Sequence, residues 1–290
     1  MEITYHQKYI VGAHTAFSGK ICDTLWSGIN HGMMALQFFM GSPQGYNRSK
    51  ISEQDLKECS KILSKFPLHI FTHFPYVANL AGSKDILAWN GNLEQDRKTS
   101  MMLKGLEYEL GIISNFTNSG VVIHPGNYPD RKKGIEAIAK SINKINFFGN
   151  SKLILENSAG QGTSLATTFE EIKAIIDLVD KDKHKHLGVC IDTCHTYAYG
   201  LYDLSKCEEV DKLFLDFDRI IGLDKLMLFH LNDSETKMKS KKDRHSCLGT
   251  GYIWKDSMDS LKHLLLKSEK YTIPLILETH GIDMVTLSCL

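Results

Sequence analysis

The chain has 290 residues, 34 Lys+Arg balanced by 34 Asp+Glu, 42% hydrophobic content and 23% charged residues. That balance supplies apolar surface for a full core and excludes intrinsic disorder. No run approaches the ~18 apolar residues of a bilayer span, and the opening residues Met1–Lys8 show no basic start followed by an apolar block.

In chain order, short apolar runs alternate with amphipathic stretches. Residues 9–13 and 34–39 read as the first two strands. Residues 52–66 read as a helix, with Leu56, Cys59, Ile62, Leu63 and Phe66 on one stripe of a 3.6-residue period. Ser52 with Asp55 is its capping signal. Further strands are predicted at 68–71, 120–123, 152–155, 187–191, 225–229 and 273–277. Helical patterns lie between them at 93–116, 134–145, 169–179, 210–221 and 258–266. Several strand runs are apolar at nearly every position, as in strands covered on both faces. Eight such runs interleaved with helices predict a single-domain (β/α)8 TIM barrel over residues 1–290. An open doubly wound sheet is the alternative, but no G-x-G-x-x-G follows an early strand, and the first run ends in Gly12-Ala13-His14. The chain given ends soon after Glu278, so the eighth helix is expected to be short or missing.

The seven cysteines are odd in number and scattered, with no C-x-x-C pair. If Cys190 and Cys194 shared one extended strand, their Cα atoms would sit roughly 13 Å apart, too far for a disulfide. Free thiols in a reducing, intracellular compartment are the expectation, cytoplasm and nucleus being equivalent on this ground. Balanced charge argues mildly against a nucleic-acid partner held by non-specific phosphate contacts.

The informative pattern lies at the strand ends. From the third strand onward they deliver His73, His124, Glu156, Asp192 with His195, His230, and Glu278, while Asp243 and His245 lie in the loop after the seventh. In a barrel those ends converge on the carboxy-terminal face. A lone histidine or carboxylate beside a strand is ordinarily a hydrogen-bonded core or capping group. Five imidazoles and four carboxylates at one face are a metal-ligand set for zinc, manganese or iron. That is too many for one tetrahedral ion, so two or three ions sharing a bridging carboxylate are expected. Such clusters suit phosphodiester hydrolysis.

The segments Gly12-Ala13-His14, His73-Phe74-Pro75-Tyr76, His124-Pro125-Gly126, Leu155-Glu156-Asn157-Ser158-Ala159-Gly160-Gln161-Gly162, Cys190-Ile191-Asp192-Thr193-Cys194-His195, His230-Leu231-Asn232-Asp233, Asp243-Arg244-His245 with Leu248-Gly249, and Leu277-Glu278-Thr279 resemble endonuclease IV. This is a family of zinc-dependent apurinic/apyrimidinic endonucleases of base-excision repair. The resemblance implies a TIM barrel with three Zn²⁺ ions, Mn²⁺ or Fe being alternatives at some sites. It implies one ion on His73, His124 and Glu156, a second on Glu156, Asp192, His230 and Glu278, and a third on His195, Asp243 and His245. The implied reaction is hydrolysis of double-stranded DNA 5′ to an abasic site, leaving a 3′-hydroxyl and a 5′-deoxyribose phosphate. By the same resemblance Glu156 and Glu278 are the candidate catalytic carboxylates for handling the proton, two roles the sequence does not separate, and a monomer without membrane contact is expected.

By the same resemblance Tyr76 and Val77 match a loop inserted at the lesion, and His14, Gln44 and Arg244 are further DNA-contacting candidates. Relatives place a basic inserting residue where this chain reads Gly41-Ser42-Pro43-Gln44-Gly45-Tyr46; Asn47-Arg48-Ser49-Lys50 follows as a candidate replacement for that charge. Lys237, Lys239, Lys241, Lys242 and Arg244 gather just before His245, so DNA binding is expected to be moderate and strongly salt-dependent. Two other readings are a metal-dependent sugar isomerase or epimerase, which gains nothing from Asp243 and His245, and a lesion-binding protein without catalysis.

Overall fold

The structure is a computed structural model that describes residues 9–82 and 97–279. Eight parallel strands close a barrel: β1 (Val11–His14), β2 (Ala35–Phe38), β3 (His69–His73), β4 (Ser119–Ile123), β5 (Leu153–Glu156), β6 (Leu187–Asp192), β7 (Leu226–His230) and β10 (Leu275–Leu277). Each strand pairs with its sequence neighbour, and β10 closes against β1 with Val11 opposite Leu275. A closed sheet has no free edge, which settles the fold in favour of the barrel over the open sheet.

The helices are α1 (Ile21–Asn30), α2 (Glu53–Leu63), α3 (Arg97–Ile113), α4 (Arg131–Ile142), α5 (Phe169–Leu178), α6 (Thr193–Tyr199), α7 (Cys207–Ile220) and α8 (Asp259–Tyr271). A two-stranded antiparallel ribbon of β8 (Asp233–Ser234) and β9 (His245–Ser246) stands after β7. Two of these helices, α1 and α6, go beyond the helical patterns read from the sequence. α1 has no side-chain cap of its own; instead Asp55 of α2 accepts from Ile21 N at 2.8 Å and Cys22 N at 3.0 Å. The signal at Ser52 and Asp55 therefore divides: Ser52 caps α2 by accepting from Asp55 N at 3.1 Å, and the Asp55 carboxylate caps its neighbour. The segment expected to be a short or absent eighth helix lies outside the described residues, as does Cys289.

Two apolar layers hold the fold. The larger lies between strands and helices. The smaller fills the barrel with Ala35, Phe71, Val122, Ile154, Cys190, Leu228 and Ile276, from seven different strands. On β1 the corresponding residue is Gly12, where a Cβ would stand 1.5 Å from the Ala35 carbonyl oxygen, so only glycine lets β1 close on β2. Side chains alternate across a strand, so the residue two further on points along the same inner face. Those positions are His14, Gln37, His73, His124, Glu156, Asp192, His230 and Glu278. One polar residue per strand thus lines the mouth above the apolar plug.

Cys190 lies in β6 and Cys194 in the first turn of α6, so the premise of one shared extended strand is corrected. Both are buried free thiols.

Candidate metal centre

The mouth residues meet. Glu156 is buried at the centre, with Oε2 3.2 Å from His73 Nε2 and 3.6 Å from His124 Nε2. Its Oε1 lies 3.1 Å from His230 Nδ1 and 3.3 Å from His195 Nδ1. His230 Nδ1 is also 3.4 Å from Glu278 Oε2. Asp243 reaches His195 Nε2 at 3.2 Å and His245 Nε2 at 3.0 Å, and His245 Nε2 is 3.5 Å from Asp192 Oδ2. All nine residues proposed from the strand ends and the following loop join this network.

Local structure explains their aim. Asp192 is the N-cap of α6 and accepts from His195 N at 2.8 Å, so the Asp-x-x-His spacing places His195 one turn in and back over the mouth. Asn157 orients both: its Oδ1 accepts from Asp192 N at 2.7 Å, and its carbonyl lies 2.8 Å from His195 Nδ1. Asn232 ties two carboxylates together, donating from Nδ2 to Asp192 Oδ2 at 2.7 Å and Glu278 Oε2 at 3.0 Å. Gln37 lies 2.9 Å from His230 Nε2 and 3.0 Å from Glu278 Oε1. The reading from sequence missed Asn157, Asn232 and Gln37 as working groups; the signal available was the period-two alternation that puts Gln37 in the same ring.

The donor set fits cations. His73 donates Nδ1–H to the Phe74 carbonyl at 2.7 Å, and His195 spends Nδ1–H on Asn157. Each keeps a bare Nε2 facing a carboxylate oxygen, which is repulsive unless a proton or cation lies between. The Nε2 atoms of His195 and His245 are buried without a hydrogen-bond partner although Asp243 is close. Three-residue groupings with ligand atoms within 4.8 Å of one another include His73–His124–Glu156, His195–Asp243–His245, His73–His230–Glu278 and Glu156–Asp192–His195. The first two coincide with the first and third sets implied by the resemblance. The second set is drawn differently: His230 and Glu278 group with His73, and Asp192 with Glu156 and His195.

Charge follows the same logic. Burial alone would raise the Glu156 carboxyl, but His124, His230 and His73 together hold it well below the usual carboxylate range. For Glu278, burial is overcome by His230, with help from His245 and His73, and its pKa falls to about 2. Burial opposes charging His245, yet Asp192, Asp243 and Glu278 lift it to about 9. Burial lowers His124 to about 4, against the pull of Glu156. Burial also lowers His14 to about 4.

The DNA-contacting candidates surround this centre. Tyr76 is 52% exposed, its ring 5.2 Å from Phe39 and 5.4 Å from His73. Val77 is half-buried, and its carbonyl accepts from Tyr46 Oη at 2.8 Å. Gln44 and Arg244 are exposed, while His14 sits on the rim 4.0 Å from Glu278. Arg48 does not replace the missing basic residue. Its side chain is 3% exposed and engages Glu109 at 2.9 Å, together with the carbonyls of Ser42, Gly45 and Tyr46. It pins the Gln44 loop from beneath.

The fold and this mouth define a class, and the sequence matches the family described as Xylose isomerase-like TIM barrel over residues 29–285. Probable endonuclease 4 of Halothermothrix orenii is 34% identical over 277 residues, covering 93% of this chain and 92% of that protein. Probable endonuclease 4 of Methanosphaera stadtmanae is 32% identical over 275 residues, covering 93% of each. The solved endonuclease IV from Thermus thermophilus superposes with a TM-score of 0.79 at 23% identity, covering 96% of this chain and 97% of that one. The chain belongs to the endonuclease IV family. Among the described residues no helix is long and apolar enough to cross a membrane.

Proposed function

We propose that this chain is a metal-dependent phosphodiesterase that cleaves double-stranded DNA 5′ to an abasic site, leaving a 3′-hydroxyl and a 5′-deoxyribose phosphate. The observation that carries the reading is the convergence of five imidazoles and four carboxylates at one mouth, with separations of 3.0 to 3.6 Å between neighbours. The relatives' name, endonuclease 4, supports the substrate class.

Three Zn²⁺ ions are the expected complement, with Mn²⁺ or Fe as alternatives. His73, His124 and Glu156 would hold one, Glu156, Asp192, His230 and Glu278 another, and His195, Asp243 and His245 the third. Bound there, the ions would offset charge building on the phosphate and on the departing 3′ oxygen. Glu156 and Glu278, both in the central network, are the carboxylates assigned here to take the proton of attacking water. Tyr76 and Val77 would contact the duplex at the lesion, and His14, Gln44 and Arg244 would hold its backbone.

The test is zinc-loaded protein incubated with a duplex carrying one abasic-site analogue, its products resolved on a gel. Incision 5′ to the analogue, abolished by chelator, is expected. Binding without incision would replace the reading with lesion binding, and neither result would favour sugar chemistry. Glu156→Gln should lower the incision rate about 10²- to 10³-fold, roughly 3–4 kcal/mol of transition-state stabilisation, with little change in melting temperature. A wild-type rate in that variant would remove Glu156 from the centre.

A further inference from the structure

Of the eight mouth positions, seven are histidine, aspartate or glutamate and one is Gln37. It is fully buried, and every polar atom of its carboxamide is engaged. Oε1 is 2.9 Å from His230 Nε2, and Nε2 is 3.0 Å from Glu278 Oε1 and 3.1 Å from His14 Nδ1. Turning the amide over would set its oxygen against a Glu278 oxygen at that separation, acceptor against acceptor. The nitrogen therefore faces Glu278, and the carbonyl must accept from His230.

We propose that Gln37 is a positioning residue whose single carboxamide fixes the proton-bearing nitrogen of His230 and His14 and decides which oxygen of Glu278 faces His230. Accepting from Nε2–H of His230 leaves Nδ1 to face Glu156 and Glu278. Donating to Glu278 Oε1 occupies that oxygen and leaves Oε2 on the side of His230 Nδ1. The second amide hydrogen goes to His14 Nδ1, so His14 carries its own proton on Nε2. His14 also lines an open cavity of about 580 Å³ beside the centre, with Phe39, Ser42 and Pro43. Its Nε2–H is then the group left to donate to a phosphate oxygen.

The inference rests on the metal reading above, and its test is separable from that reading. Long-range ¹⁵N–¹H correlation of histidine rings in the zinc-loaded full chain should show His14 as the Nε2–H tautomer and a slowly exchanging proton on His230 Nε2. Gln37→Met, which keeps the length of the side chain and removes all three bonds, should mix the His14 tautomers. It should also weaken one zinc equivalent about 10- to 100-fold in competition with a chromophoric chelator. Gln37→Glu keeps an acceptor for His230 and sets an oxygen against Glu278 Oε1, where the two carboxylates share one proton; no hydrogen is left for His14 Nδ1, so the His14 proton should move to Nδ1. This second variant decides the question if melting shows that Gln37→Met fails to fold. An unchanged His14 tautomer in the folded variants, with zinc affinity within twofold of the parent, overturns the proposal. Failure to incise abasic DNA while the tautomers respond would sink the nuclease reading and leave Gln37 in its role.

Discussion

Asp233 is fully buried, and backbone N–H groups surround it. Oδ1 accepts from Ser234 at 2.8 Å and Ile253 at 3.0 Å; Oδ2 accepts from Gly249 and Gly251, each at 3.0 Å. The loop can come this close because position 251 is glycine: a Cβ there would lie 2.4 Å from the Ser234 carbonyl oxygen. Asp233→Asn turns one acceptor into a donor facing N–H donors. We expect a loss of about 3 kcal/mol, read as a fall of roughly 5 °C in melting temperature. A shift under 2 °C would mean that the loop is held by something else. The motif His-Leu-Asn-Asp drew attention to His230 through its chemistry. The work of Asn232 and Asp233 was not legible, because their partners are backbone amides up to 20 residues away and a carboxylate 46 residues on. Only the closed barrel brings those groups together.

Among the elements, strand order and the longer helices were readable because burial on both faces and a 3.6-residue stripe leave a local imprint. α1 and α6 leave none: one borrows its cap from Asp55 of α2, and the other is a seven-residue turn started by Asp192. The contact of α4 with the first turn of α5 is of the same non-local kind. Arg131 of α4 donates to both oxygens of Glu171, at 2.5 and 2.6 Å, and Glu171 Oε2 also accepts from Thr167 N at 2.9 Å. Burial alone would raise the Glu171 carboxyl, but the bonds from Arg131 and Thr167 outweigh it and hold the pKa below its ordinary value. A depressed carboxylate stabilises the fold above its unfolded pKa of about 4.3 and loses that contribution as pH falls through the folded value. Glu171→Gln should therefore cost about 1 kcal/mol at pH 7, a figure already reduced for the partial exposure of Arg131. The difference in melting temperature between the two proteins should shrink below about pH 4 and vanish on further acidification. A gap that stays constant over that range would show that the pair adds no charge-dependent stability.

At the scale of the whole molecule, the balanced formal charge conceals an uneven distribution. Four carboxylates sit in the mouth, and ions bound there would reverse the local sign. Beside them Lys237, Lys239, Lys241, Lys242 and Arg244 are all exposed on the segment between β8 and β9. That segment is anchored: Lys241 N donates to the Ala198 carbonyl at 2.8 Å, and Lys239 and Lys241 both take positive φ. Its backbone is fixed against α6 while the basic side chains stay exposed, with the Lys241 ammonium 5.5 Å above the Tyr199 ring. If this basic strip and the centre together hold DNA, association must release counterions, and log K should fall linearly with log salt. Each lysine that contacts a phosphate adds about 0.9 to that slope. Lys237→Ala combined with Lys242→Ala should reduce it by up to about 1.8, weaken binding evenly across flanking sequences, and leave zinc content and melting temperature unchanged. Fluorescence anisotropy with a labelled abasic duplex between about 50 and 200 mM salt reads all of this, at the salt span over which such contacts are most visible. An unaltered slope in the double variant would remove the strip from the interface, and a parent slope near zero would mean that phosphate contacts do not hold the duplex at all.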